Sequence, residues 1–163
     1  MTMNDASLDI LINVPLKHPE LNAIKYQANK KTISLKFALL GIMAEVDIQN
    51  YYNKVQKAAK IYHELCGGTP EIFEMEIDVT EEVTFISLYR DEESLSEEEV
   101  DIYIAFLKED FNDYLVRDGI SIIKNDSYKR RLKKNLLNKI TQDENCDSFW
   151  AFRQGGKVFV LNK

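Results

Sequence analysis

Few side chains in this sequence stand at spacings that do chemistry. His63 and Cys66 lie three apart in a stretch of helical periodicity, which sets them on one helix face. Imidazole and thiolate are zinc ligands, but a structural zinc takes four, and no second His–Cys pair follows. Cys66 is therefore read as a small buried apolar residue near a helix end. Glu74, Glu76 and Asp78 alternate along a strand and project to one side. Carboxylates so placed bind a divalent cation or act as an acid–base pair when water is excluded. On an edge strand they are a solvated face. His18 sits between Lys17 and Pro19 with no nucleophile motif beside it. Gly67-Gly68 ends a helix and does not follow a strand, so it is no phosphate-binding loop. No catalytic residue, metal or cofactor is assigned.

A basic run and an aromatic cluster remain. Lys129, Arg130, Arg131, Lys133 and Lys134 crowd one segment, and Trp150, Phe152 and Arg153 follow shortly after. These eight residues are the candidate interaction surface. Cations neutralise phosphates and rings stack on unpaired bases, so the pair suits RNA. Against that stand a formal charge of -6 and the absence of any known RNA-binding signature. Acidic residues concentrate between Glu71 and Asp118, where Arg90, Lys108 and Arg117 are the only basic ones. Opposite blocks of this kind pair within the chain, face solvent or meet a charged partner.

The elements must position these groups. Ile33, Leu35, Phe37 and Leu39 alternate with Ser34, Lys36 and Ala38, predicting a half-buried strand over Thr32–Leu40. From Val46 the period lengthens through Ile48, Tyr51, Val55, Ala59, Tyr62 and Leu65 to that of a helix, closed by Gly67-Gly68 and Pro70. Phe73, Met75, Ile77 and Val79 predict a strand, and Val83–Arg90, apolar at both parities, a central one. Ser94 and Ser96, each with a glutamate three residues on, predict the start of a second helix. Val100, Tyr103, Ile104, Leu107, Phe111, Tyr114 and Leu115 form its buried stripe.

Leu8–Val14 and Leu21–Gln27 alternate as two leading strands, the second joined to Thr32 by a two-residue turn at Asn29-Lys30. Asn125–Ile140 predicts a third, basic helix, and Gly155-Gly156 a hairpin with Trp150 opposite Leu161 and Phe152 opposite Phe159.

The expected fold is α+β. Five antiparallel strands run in the order 1-2-3-5-4, with two long helices on one face and a C-terminal helix and hairpin appended. The alternative is a ferredoxin-like βαββαβ core with an N-terminal extension, in which Gly119–Lys124 pairs beside Thr32–Leu40.

With 163 residues and 45% apolar composition, one domain is expected, its core over 7–117 and its basic helix and hairpin over 125–162. No basic-then-apolar leader opens the chain, no apolar run is long enough to span a bilayer, and the two cysteines are isolated. These features favour the cytoplasm. The function expected is a non-enzymatic interaction or regulatory protein that binds another protein, a homodimer included. The alternative is an RNA-binding accessory protein using helix 126–140 and hairpin 149–161.

Overall fold

Ile33, Leu35, Phe37 and Leu39 are fully buried, while Ser34 and Lys36 between them are half-exposed. One side of this strand therefore lies against a core. The computed structural model describes residues 5–117, 148–154 and 157–162. Their elements are α1 (Asp5–Lys17), β1 (Ala23–Gln27), β2 (Thr32–Leu40), α2 (Glu45–Cys66), β3 (Phe73–Thr80), β4 (Val83–Asp91), α3 (Glu97–Phe111), β5 (Ser148–Gln154) and β6 (Lys157–Asn162). The strands form one six-stranded sheet in the order β3-β4-β2-β1-β5-β6, every neighbour antiparallel.

The predicted strand order is not kept as a whole, but four of the five predicted strands stand in their predicted sequence, β1-β2-β4-β3, within the sheet. The fifth is a correction. Leu8–Val14 belongs to α1, and the place beside β1 goes to β5. Leu8, Ile10, Leu11, Ile12, Val14 and Leu16 are all buried. The polar stripe of α1 is narrow, Asp9, Asn13 and Lys17 at four-residue spacing, and the apolar residues between them also match a period of two. The ferredoxin-like alternative also falls: β2 lies between β1 and β4, which leaves no edge for Gly119–Lys124. Gly119–Lys124 and the predicted helix of 125–140 lie outside the described residues.

The helices cover one face. In α2 the buried line is Ile48, Tyr51, Val55, Ala59 and His63, whereas Leu65, expected in it, is 82% exposed. In α3 it is Glu99, Val100, Tyr103, Ile104, Leu107 and Phe111. Ser96 caps this helix by accepting from the Glu99 amide at 3.3 Å. The helix stops at Phe111, so Tyr114 turns half outward. α1 lies beside α3 over β1 and β5, tied by Lys17 and His18 to Asp101 at 2.7 and 2.6 Å. The predicted hairpin forms with its predicted register, Trp150 opposite Leu161 and Phe152 opposite Phe159.

Two turns differ in detail. The β1–β2 connection spans Ala28–Lys31, and Lys31, not Asn29, takes the positive φ. At the β3–β4 tip the two central residues, Glu81 and Glu82, both have positive φ, 48° and 66°. Asn-Gly is the pair that such a turn prefers. Exchanging Glu81-Glu82 for Asn-Gly is expected to raise the unfolding free energy by about 1–2 kcal/mol, read from urea denaturation.

Candidate functional site

The sheet has two faces of different character. Toward the helices it presents Ile24, Tyr26, Leu35, Phe37, Ile86, Leu88, Phe149 and Ala151, all buried. The register sets the intervening residues on the other face, which no helix of the described residues covers. There Lys36 Nζ lies 4.5 Å over the Phe85 ring and Lys25 Nζ 4.7 Å over the Trp150 ring. Each such contact is worth about 0.5–1 kcal/mol at an exposed site. Tyr89 donates to Glu76 Oε2 at 2.8 Å. Burial, then this carboxylate, push the Tyr89 phenol up to about 12. A groove of about 750 Å³ runs between β1 and β3, with Lys25, Lys30, Lys36, Glu74, Glu76 and Tyr89 among its walls.

The signs of charge are separated across this face. Glu74, Glu76 and Asp78 on β3 are exposed, and no ion pair reaches them from the described residues. Lys36 stands two strands away, beyond Phe85 and Tyr89 of β4.

A second cluster lies under the helices. Arg90 of β4 and Glu99 of α3 are fully buried, and His63 at the end of α2 nearly so. The Glu99 carboxylate takes His63 Nε2 on one oxygen, and Arg90 Nη1 and the Tyr103 hydroxyl on the other. Arg90 also donates to Tyr103 Oη at 2.6 Å, Ser94 Oγ at 2.5 Å and the Ile72 carbonyl at 3.1 Å. His63 Nδ1 faces the Gly67 carbonyl at 3.3 Å. Each charged group here has a partner within the protein, so the cluster joins β4, α2 and α3. Its cleft, about 660 Å³, is walled by His63, Cys66, Asp91 and Ser94 among others.

No protein-family model, curated protein or solved structure matches the chain.

Several predicted site residues can now be placed. Trp150 lies on the helix-free face beside Lys25, and Phe152 stacks on Phe159 at 5.4 Å. Arg153 is in β5. Lys129, Arg130, Arg131, Lys133 and Lys134 lie outside the described residues. Cys66 is exposed, not buried as expected, because His63 is the last buried residue of α2 and the helix end runs past the core. Among the described residues no group of three His, Cys, Asp or Glu side chains could hold a metal. The Arg90–Glu99–His63 cluster was missed, since its members come from three separated segments. Its one sequence signal was a charge, Arg90, inside an apolar strand. No helix among the described residues is long and apolar enough to cross a membrane.

Removing one partner of a buried pair leaves the other charge uncompensated. Glu99→Gln is expected to lower stability by about 3–5 kcal/mol, and Arg90→Met/Glu99→Leu by distinctly less, both by urea unfolding at neutral pH. Asp91 gives a pH dependence. Burial works to raise its carboxyl, but hydrogen bonds from Ser94 and the Ile72 amide, with Arg90 beside it, hold it below the usual carboxylate range. A depressed folded value stabilises above the unfolded pKa of about 4 and is lost as pH falls through the folded one. Asp91→Asn should therefore lose less stability than the parent between about pH 6 and about pH 3.

Proposed function

We propose that this chain is a non-enzymatic, cytoplasmic binding protein that holds another protein against the helix-free face of its sheet. The division of that face carries the reading: cationic Lys30 and Lys36 on one side, the rings of Phe85 and Tyr89 in the middle, carboxylates of Glu74, Glu76 and Asp78 along the border. Aromatic rings supply contact area at low entropic cost, and flanking charges of both signs fix orientation. A protein surface offers both signs. A polyphosphate would meet repulsion along the whole β3 border. The exposed free thiol of Cys66 suits a reducing compartment.

A face with separated signs is also complementary to itself across a two-fold axis, with the lysine side of one copy against the carboxylate side of the other. A homodimer is the self-association this arrangement favours. The second reading is RNA binding, favoured by Lys25 over Trp150 and Lys36 over Phe85, cations and rings brought together as single strands require. The basic segment with Lys129, Arg130, Arg131, Lys133 and Lys134 belongs to that reading.

Lys36→Glu/Phe85→Ala changes this face and leaves the helix side intact. Quantitative affinity capture with parent and variant is the test. A protein retained by the parent after nuclease treatment and lost by the variant is the expected outcome. Capture abolished by nuclease, with affinity falling steeply in salt, transfers the function to RNA. The mass in solution should drop from dimer to monomer as salt is raised if the self-complementary contact forms.

A further inference from the structure

Among the described residues β3 is an outer strand of the sheet, eight residues long, without proline and paired in unbroken register with β4. Its free side presents backbone N–H and C=O groups to whatever lies alongside. Along this strand Glu74, Glu76 and Asp78 point to the helix-free face, and Met75, Ile77 and Val79 to the helix side. α2 reaches only the beginning of the strand: Tyr52 donates to the Phe73 carbonyl at 3.2 Å and its ring meets Phe73. Ile77 and Val79 beyond it are 40% and 47% exposed.

We propose that the β3 edge accepts an extended segment of a partner protein as a seventh strand, one in which basic residues alternate with apolar ones. The inference rests on the protein-binding reading above and names the partner's chemistry. Strand pairing sets side chains of the two strands opposite one another on each face. Lysines or arginines would then face Glu74, Glu76 and Asp78, while the alternate apolar residues cover Ile77 and Val79. Main-chain bonds supply affinity and the alternation supplies selectivity. A second copy of β3 is excluded as the occupant, because antiparallel self-pairing sets carboxylates beside carboxylates. The same alternation thus blocks edge-to-edge aggregation and selects a cationic strand.

The test uses the full chain and a labelled eight-residue peptide alternating lysine and valine, matched to the length of β3. Binding should slow hydrogen exchange at the Phe73–Thr80 amides and weaken as salt is raised. Glu74→Lys/Glu76→Lys/Asp78→Lys should lose affinity by about tenfold or more and instead bind the glutamate–valine peptide. The lysine–valine peptide N-methylated at alternate residues should not bind. Equal binding of the methylated peptide would reduce the effect to unspecific charge attraction and overturn the proposal. Protection around Phe85 and Tyr89 with β3 amides unchanged overturns strand addition and leaves the binding face standing. Protection of β3, together with undiminished partner capture by Lys36→Glu/Phe85→Ala, keeps strand addition and removes that face.

Discussion

A guanidinium sealed under two helices must be neutralised where it stands. Arg90 sits in β4 at zero exposure, on the side of the sheet that is mostly aliphatic and aromatic. Burying such an ion alone costs several kcal/mol even after relaxation. Glu99, the Tyr103 hydroxyl, Ser94 and the Ile72 carbonyl together offset that cost, the first two from α3, Ser94 from the segment leading into it and Ile72 from the residue before β3. The arrangement of β4, the end of α2 and the first turns of α3 depends on this meeting. Glu99 is also the residue whose amide the Ser96 cap receives, so the same turn that starts α3 delivers the counter-ion.

The consequence is a division of labour between the two sides of the sheet. The helix side holds the saturated charges and the core, and its polar groups are occupied by one another. Glu92 repeats the pattern at smaller scale, accepting from Ser7 at 2.8 Å and from Tyr26 at 2.9 Å where α1 meets β1. The opposite side keeps its charges apart: the lysines lie over rings and the carboxylates line an outer strand. The buried cluster thus has its charges paired within the protein, while the opposite side shows rings, lysines and carboxylates to its surroundings.

Periodicity made much of this legible. β2, β3 and both long helices follow from alternation or from three-and-four spacing, β4 from an apolar run and the C-terminal hairpin from Gly155-Gly156. Where the spacing fits two periods, the reading fails. Leu8–Leu16 is buried except along the narrow line of Asp9 and Asn13, so its apolar residues match a period of two as well as that of a helix. Leu65 and Tyr114 extend apolar stripes in sequence but fall where α2 and α3 have already left the core. For the candidate site, the acidic row of β3 and the rings of the hairpin were visible as residue patterns. Their sharing of one face with Lys36 was not, since that depends on strand order.

By itself the sequence determined the class of fold, the pairing β1-β2-β4-β3 and the acidic character of the β3 border. These are consequences of local period and of short connections, which bring neighbouring segments together at little loss of entropy. Only the tertiary structure decided that β5 takes the place beside β1, and that Arg90, Glu99 and His63 converge. Those contacts join residues as much as a hundred or more positions apart, as in Ile24 with Ala151. Their geometry is set by how the layers pack, and no local period encodes it.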